Sequence, residues 1–178
     1  MSVDEQLFLQ LNNFMSGPFS TLFFSCATKL GNGWVLAAII VPGLYFFNRD
    51  AFKRQLFPLA ITVALGGLMV AGIKVAVARP RPPAVFAEKS ISIHLHAGEP
   101  SDYSFPSGHT QTAFSAAVYM SMIFPSFSPV FILLATLVGF SRIALGVHFP
   151  SDVLAGAIFG AAIGIAGFKI NILRLTKR

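Results

Sequence analysis

Two histidines and one aspartate are the residues of this sequence whose types and spacing could do acid, base or nucleophilic chemistry. His148 precedes Asp152 by four residues, so the carboxylate can accept a hydrogen bond from one imidazole nitrogen. That bond fixes the tautomer and leaves the other nitrogen with a free lone pair. A histidine held in this way acts as a nucleophile or a general base. The alternative for Asp152 is a residue that merely begins a helix.

The second histidine, His109, lies in the segment Phe-Pro-Ser-Gly-His-Thr at residues 105–110, directly before an apolar run. Proline suits the first turn of a helix, and glycine lets the backbone approach a ligand closely. The free N–H groups of that first turn and the helix dipole favour a bound anion. The segment therefore predicts an anion cradle with the Ser107 hydroxyl as a further donor. The alternative is a polar loop that only starts a helix.

Four cations lie near the ends of apolar segments that are predicted to meet one membrane face: Lys74, Arg79, Arg81 and Arg142. A Lys or Arg near the bilayer centre costs about 2.5–3.5 kcal/mol on insertion scales, so it usually has a partner or a task. Any one of them could instead extend to the interface. Cations that cluster without matching carboxylates predict an anionic ligand. Together with the histidines they suit phosphoryl transfer, which depends on positioning and cationic stabilisation.

The composition requires that these residues be positioned by membrane helices. Of the 178 residues, 54% are hydrophobic and 11% are charged, whereas a soluble domain carries about 25% charged residues. The mean hydropathy of +0.71 agrees. The chain is therefore predicted to be a polytopic membrane protein, which excludes soluble enzymes, nucleic-acid-binding modules and disordered tails. The net charge of +6 then reports topology and anionic headgroups or substrates.

Apolar runs predict an all-α transmembrane bundle of five core spans, near residues 34–47, 56–78, 110–124, 130–145 and 153–170. Residues 1–30 are expected to form an interfacial N-terminal arm, unless residues 7–28 cross the membrane as a hairpin or a sixth span. Residues 31–178 would then form the bundle of one domain, 1–178, with the chemistry between residues 74 and 152.

Topology follows from the charges. Five spans place the connections 79–105 and 146–150 on one face, and the opposite face receives the basic residues Arg49, Lys53, Arg54, Lys169, Arg174, Lys177 and Arg178. The basic face is predicted to be cytoplasmic, so the candidate site faces outward. On the last span, Gly156, Gly160 and Gly164 form a ridge that allows close helix approach. The ridge is expected to pack within the chain, with a homodimer face as the alternative.

Three motifs carry a resemblance to a known family: Lys74-x6-Arg81-Pro82, Pro106-Ser107-Gly108-His109 and Ser141-Arg142-x5-His148-x3-Asp152. Complete and in this order, they resemble the signature of the type 2 phosphatidic acid phosphatase (PAP2) superfamily. The resemblance implies that His148 attacks phosphorus, that Asp152 orients it, and that His109 protonates the leaving oxygen. It also implies a set of groups that hold the phosphate oxygens: Lys74, Arg81, Ser107, the Gly108 N–H and Arg142. Arg79 lies outside the signature, and its role stays open.

The resemblance further implies a small lipid phosphatase of the bacterial inner membrane that needs neither metal nor other cofactor. Its substrate would be undecaprenyl diphosphate, phosphatidylglycerol phosphate, phosphatidic acid or a lipid A phosphate. The alternatives are a phosphotransferase that uses the same histidine, a non-enzymatic transporter of anionic lipids, and a scaffold with an inactive site. His94 and His96 with Glu88 or Glu99 could form a metal site, but solvated loop histidines are the preferred interpretation.

Overall fold

The computed structural model describes residues 1–96 and 102–176, which form eight α-helices and their connections. The helices are α1 (Val3–Phe14), α2 (Pro18–Ala27), α3 (Gly33–Phe47), α4 (Arg49–Val77), α5 (Pro82–Glu88), α6 (Gly108–Ile123), α7 (Ser128–Ala144) and α8 (Pro150–Leu175). No strand occurs in these two described ranges. The all-α prediction is confirmed. Glu99, Lys177 and Arg178, which the sequence analysis named, lie outside the described residues.

Polar residues directly before the helices determine where several of them begin. The side-chain oxygen of Asn32 accepts a hydrogen bond from the Trp34 N–H (2.9 Å), and Asn48 does the same for the Ala51 N–H. Such caps satisfy N–H groups that have no partner within the helix. Ser107 caps α6. Because Ser107 belongs to the second motif, that motif lies at the beginning of α6.

Helix α6 occupies the centre of the bundle, where it packs against α4, α7 and α8. The ridge of Gly156, Gly160 and Gly164 on α8 faces α6 so closely that a Cβ on any of them would lie 2.5–2.7 Å from a backbone carbonyl oxygen of α6 or of its N-cap residue Ser107. Close packing within the chain is therefore the arrangement observed. The homodimer alternative for this ridge stays a prediction, although α6 of the same chain already packs against the ridge.

Helix length and hydropathy identify the candidate membrane spans. Three segments of the described chain are long and apolar enough to cross a membrane: Arg49–Glu88, Pro125–Ala144 and Pro150–Leu175. The segments Pro18–Gly31 and Gly33–Phe47, bent by 71° at their junction, would make a fourth if they count as one span. Helix α6 has only 16 residues and buries polar side chains, which it tolerates because protein surrounds it. Five or six spans remain a prediction.

The N-terminal arm is part of the bundle at the end that carries the motifs. Helix α1 packs against α7 and α8. Phe8 is fully buried and stacks on Phe86 (centroids 5.4 Å apart) and on the edge of Phe149 (5.5 Å). The amide of Asn12 is also buried and donates to two carbonyl groups at the end of α7. The expectation of a peripheral arm was thus incomplete, because α1 docks on the protein itself.

Candidate active site

His148 lies in the tight connection between α7 and α8. Gly146 makes this turn with φ of +82°, and a Cβ there would collide with the carbonyl oxygen of His94, so only glycine fits. The N–H groups of Val147 and His148 both donate to the carbonyl oxygen of Arg142 (3.1 and 3.3 Å). The His148 side chain is only 2% exposed. The turn therefore holds a buried imidazole rigidly against the end of α7.

The neighbours of His148 fix its tautomer. Nη1 of Arg81 lies 3.1 Å from Nε2 of His148. A guanidinium can only donate hydrogen bonds, so Nε2 must accept, and the ring proton resides on Nδ1. Nδ1 lies 3.5 Å from Oδ2 of Asp152 and 3.4 Å from Oγ of Ser104. The imidazole thus directs a lone pair toward a cation and its proton toward a carboxylate.

Asp152, in the first turn of α8, is fully buried and fully hydrogen-bonded. Its Oδ2 accepts from the Ser104 hydroxyl (2.5 Å) and from the Phe149 N–H (2.9 Å). Its Oδ1 accepts from Nη1 of Arg79 (2.6 Å). A buried carboxylate is costly unless such donors compensate its charge. These donors fix the carboxylate with Oδ2 directed at His148.

Lys74 and Arg81 converge on a single carboxylate, although α4 ends between them. The chain leaves α4 at Ala78, whose φ is +48°. Nζ of Lys74 lies 2.8 Å from Oδ2 of Asp102, and Nη2 of Arg81 lies 2.5 Å from Oδ1. Partial burial raises the pKa of Asp102, but the hydrogen bonds from Lys74 and Arg81 outweigh it and lower this pKa to about 2. Asp102 is therefore an anion bound to both cations.

Arg142 and His109 lie on the side of the site that faces the α2–α3 junction. Arg142 is 8% exposed, and its Nη1 donates to the Thr28 hydroxyl (2.6 Å). Its Nε has no hydrogen-bond partner among the described residues. Gly31 packs so tightly behind His109 that a Cβ on it would lie 2.8 Å from the His109 Cβ.

Ser107 and Gly108 form the beginning of α6. Ser107 is fully buried, its Oγ accepts from the Thr110 hydroxyl (2.9 Å), and its N–H donates to the carbonyl oxygen of Asp152 (3.0 Å). A Cβ on Gly108 would meet only Val70, at an ordinary 3.8 Å. Packing against the described residues therefore does not require glycine at position 108.

A family model described as the PAP2 superfamily matches residues 55–174. The chain belongs to the PAP2 superfamily. The match includes all three motifs, from Lys74 to Asp152, and it covers α4 to α8 of the bundle. Helix α1, which docks beside the site, lies outside the matched region.

Named relatives of this PAP2 chain are lipid phosphatases. It is 36% identical to the lipid A 1-phosphatase of Rhizobium johnstonii over 103 residues, which cover 58% of this chain and 42% of that protein. It is 27% identical to the undecaprenyl-diphosphatase BcrC of Bacillus subtilis over 139 residues, which cover 78% of this chain and 69% of that protein. The chain spans less than half the length of the first curated relatives it matches.

Two solved structures share the fold of this PAP2 chain. LpxE of Aquifex aeolicus superimposes with a TM-score of 0.80 at 31% identity, covering 95% of this chain and 96% of that one. The transmembrane PAP2-type phosphatidylglycerolphosphate phosphatase of Bacillus subtilis superimposes with a TM-score of 0.75 at 24% identity, covering 94% and 84%. The chain is therefore an integral membrane protein of the PAP2 fold.

Three residues at the candidate site were missed by sequence analysis: Asp4, Asp102 and Ser104. Asp102 and Ser104 belong to the connection 79–105, and Asp4 belongs to the N-terminal arm. Their partners lie 21 to 75 residues away in sequence. No local spacing reveals such contacts. The only available signal was that these are polar residues in an otherwise apolar chain.

The pair His94 and His96 lies in the connection after α5, close to α1. Their rings are 6.1 Å apart at the centroids and nearly parallel, and the carbonyl oxygen of His94 accepts from the Asn12 amide (3.0 Å). Among the residues that the structure describes, no group of three His, Cys, Asp or Glu side chains could hold a metal ion.

Proposed function

We propose that this chain is a metal-independent lipid phosphatase that transfers the phosphoryl group to His148 before water receives it. The observation that carries the proposal is the orientation of His148. Its Nε2 faces Arg81 at 3.1 Å and its Nδ1 faces Asp152 at 3.5 Å. A histidine nucleophile needs an unprotonated nitrogen and an anion beside the other nitrogen. The Nε2 lone pair accepts from Arg81, and this hydrogen bond has to give way to phosphorus when the substrate binds.

In the first step, the Nε2 lone pair of His148 attacks phosphorus, and the bond from phosphorus to the lipid oxygen breaks. The leaving oxygen keeps the bonding electrons and takes a proton from His109. The positive charge that develops on His148 is stabilised by Asp152, across the Nδ1–H bond. The distance of 3.5 Å is long for a hydrogen bond, and catalytic hydrogen bonds commonly tighten only in the substrate complex.

In the second step, His109 takes a proton from water, and the resulting hydroxide attacks phosphorus. The bond from phosphorus to Nε2 breaks, its electrons return to His148, and inorganic phosphate leaves. The equatorial oxygens, which carry most of the charge in both steps, would be held by cations and donors of the site. The proposed set is Lys74, Arg81, Ser107, the Gly108 N–H and Arg142.

Two features support a phosphate position at these residues. The Asp102 carboxylate on Lys74 and Arg81 is an anion of the kind that a phosphate oxygen pair would replace. A Cβ on Gly108 would fit beside Val70, so packing does not explain why this residue is glycine. Close approach of a ligand to the backbone would explain it.

An apolar groove of about 680 Å³ between α3 and α4 supports a lipid substrate. Its walls are aliphatic side chains together with Trp34 and Phe57, α6 contributes Ala116, and one end is formed by Asn32 and Gly33. That end follows Gly31, which packs against His109. A lipid chain in the groove would therefore lead its headgroup toward the site.

Among lipid phosphates, we propose the 1-phosphate of lipid A as the first candidate, because three of the relatives at 31–36% identity are named lipid A 1-phosphatase. Undecaprenyl diphosphate is the next, by the relatives that carry that name. Phosphatidylglycerol phosphate and phosphatidic acid complete the panel.

The test measures phosphate release by detergent-purified protein in the presence of EDTA, with wild type beside His148→Ala. We expect release by wild type only. When a reaction with labelled substrate is quenched rapidly, the wild-type protein should carry acid-labile labelled phosphate. Equal release by both proteins would eliminate His148 as the nucleophile. Labelled phosphate that appears in a second lipid instead of in solution would identify the phosphotransferase.

We also propose that the protein lies in a bacterial inner membrane with the site outward. Cys26 is the only cysteine, so Cys26→Ser provides a background for single cysteines at Ser92 and Ser126, both exposed and at opposite ends of the bundle. An impermeant maleimide should label Ser92→Cys in intact spheroplasts and Ser126→Cys only after lysis. The reverse pattern would overturn the orientation.

A further inference from the structure

Helix α1 brings an acidic residue, Asp4, to the side of the site opposite the phosphate cations. Oδ2 of Asp4 lies 2.6 Å from Nη2 of Arg79, and Nη1 of the same guanidinium lies 2.6 Å from Oδ1 of Asp152. Arg79 thus joins a carboxylate of the N-terminal helix to the carboxylate beside His148. Arg79 lies outside the family signature, and Asp4 lies outside the region that the family model matches.

The contacts around this bridge leave the Arg79 guanidinium little freedom. It lies over the face of Phe149, with 4.2 Å from Cζ to the ring centroid, and its Nη1 also donates to the Ser151 hydroxyl (2.7 Å). Asp4 in turn accepts from the Ser151 N–H (3.0 Å) and from the Ser151 hydroxyl (2.6 Å). The first turn of α8 is therefore tied to α1 by side chain and backbone together.

We infer that Arg79 and Asp4 are positioning residues for the proposed reaction: Arg79 fixes the Asp152 carboxylate toward His148, and Asp4 fixes Arg79. This inference rests on the proposed function. Of the two oxygens of Asp152, Oδ1 is bound by Arg79, while Oδ2 faces Nδ1 of His148. Removing Arg79 leaves Oδ1 without its charged donor, so that only the Ser104 hydroxyl and the Phe149 N–H, both on Oδ2, still orient the carboxylate. The position of Oδ2 relative to the imidazole is then less firmly fixed.

Charge balance gives Asp4 a second effect on the same site. A lone guanidinium at 2.6 Å from Asp152 would cancel much of the field that this carboxylate exerts on the His148 ring, since opposite charges at such distances interact strongly in a poorly hydrated site. The Asp4 carboxylate offsets the Arg79 charge. Asp152 then keeps its negative field for the imidazolium that forms when His148 attacks.

The test compares Arg79→Gln, Asp4→Asn and the double variant in steady-state hydrolysis of the preferred lipid phosphate. By analogy with outer-shell partners of other active sites, we expect kcat to fall about 10- to 100-fold in Arg79→Gln, and less in Asp4→Asn. KM should change less than about twofold, because the phosphate-holding groups keep their contacts. Since Asp4 acts through Arg79, the double variant should equal Arg79→Gln. Additive losses in the double variant would overturn the inference.

Glu5→Gln is the matched control for the docking of α1. Glu5 forms an ion pair with Lys89 of the segment after α5 (2.6 Å), which fastens the same helix without reaching Asp152. A glutamine at position 5 can still accept the hydrogen bond from the N–H of Ser2, the N-cap residue of α1. We expect Glu5→Gln to lower the thermal unfolding temperature by about as much as Asp4→Asn, with kcat unchanged. Equal losses of kcat in both variants would mean that Asp4 only holds α1 against the bundle and does not position Asp152.

A spectroscopic measurement separates this inference from the proposed function. In protein labelled with ¹⁵N-histidine, with His148→Asn used for assignment, wild type should give the signals of a single Nδ1–H tautomer at His148. Because Arg81 still requires Nε2 to accept, Arg79→Gln should keep this tautomer but change the chemical shift of the Nδ1–H signal, since the Asp152 carboxylate beside it is less firmly held. Arg79→Lys, which keeps the charge but not the planar fork of donors, should give an intermediate shift. Wild-type spectra in both variants would overturn the inference, whereas an inactive wild type with a fixed tautomer would overturn only the phosphatase function.

Discussion

Oδ1 of Asp102 lies 2.5 Å from Nη2 of Arg81, where the proposed reaction requires a phosphate oxygen. The same carboxylate binds Lys74 at 2.8 Å, and its side chain is 54% exposed. An anion supplied by the chain itself therefore neutralises two of the cations of the candidate site. A substrate phosphate has to displace this carboxylate. The free energy that the displacement costs weakens the binding of the substrate.

Asp102→Asn should therefore lower KM while changing kcat little. A partly exposed ion pair contributes about 1 kcal/mol or less, which corresponds to a decrease in KM of up to about fivefold. Asp50→Asn, at the exposed start of α4 near the opposite end of the bundle, removes the same charge and should leave KM unchanged. Initial rates over a range of lipid phosphate in mixed micelles measure both. A KM that rises in Asp102→Asn would make this residue part of substrate binding.

The pH dependence of His148 provides an independent prediction. Its burial lowers its pKa to about 3, assisted by the charges of Arg81 and Arg142 and opposed by the hydrogen bond to Asp152. Because the cation is the disfavoured form, His148 should stay neutral from pH 8 to pH 5. An unfolded histidine takes up its proton near pH 6.5, so this residue makes the folded protein progressively less stable as the pH falls from about 6.5 to about 3.

The measurement is an NMR titration of the His148 Cε1–H signal in detergent, assigned with His148→Asn. A shift with a midpoint near pH 6.5 would contradict the buried neutral ring. The titration follows the ring itself, so it does not depend on the protonation of the substrate.

Much of the site was predictable because each motif lies at a helix end that local sequence determines. Ser107 caps α6, and Pro150 begins α8 two residues before Asp152. Apolar runs located the core helices to within a few residues at most ends, although α4 begins at Arg49, before the predicted span. The first two turns of α4 contain charged residues, so a search for apolar runs does not detect them. Turns of a helix that lie outside the membrane need no apolar side chains.

The contacts of Asp4 and Asp102 could not be predicted, because they depend on how helices distant in sequence pack. Asp4 meets Arg79 only because Phe8 is buried against Phe86 and Phe149. In the sequence, Phe8 belongs to a segment of mixed periodicity that resembles an interfacial helix. Tertiary packing, which local sequence patterns do not encode, orients α1 so that Asp4 faces the site.

Arg142→Lys should abolish most of the activity even though it preserves the charge. Nη1 of Arg142 is committed to Thr28, so the rest of the guanidinium must supply the donors for a phosphate oxygen. Lysine has a single point charge and cannot make both contacts. Loss of one preorganised donor costs about 10²–10³ in kcat for other enzymes, and we expect a loss of that order. Arg174→Lys, at the exposed C-terminal end of α8, is the control. Near-normal turnover in Arg142→Lys would contradict direct binding of phosphate.

The contact of α8 with α6 should make Gly160 intolerant of even one methyl group. In Gly160→Ala, the Cβ would lie 2.5 Å from the Gln111 carbonyl oxygen and 3.0 Å from the Ser115 nitrogen, and backbone on both sides cannot move without shifting α6. Overpacking of this kind costs about 1–3 kcal/mol. Because α6 carries Ser107 and His109 at its beginning, activity should fall together with stability.

Gly67→Ala is the matched control, since a Cβ there would meet no described atom within 4 Å. In a helix, alanine in place of glycine adds up to about 1 kcal/mol of stability. Thermal unfolding in detergent should therefore separate the two variants, with Gly160→Ala below wild type and Gly67→Ala at or above it. If Gly160→Ala kept its stability and changed only the apparent mass in size-exclusion chromatography, the ridge would form an interface between chains and α6 would not cover it.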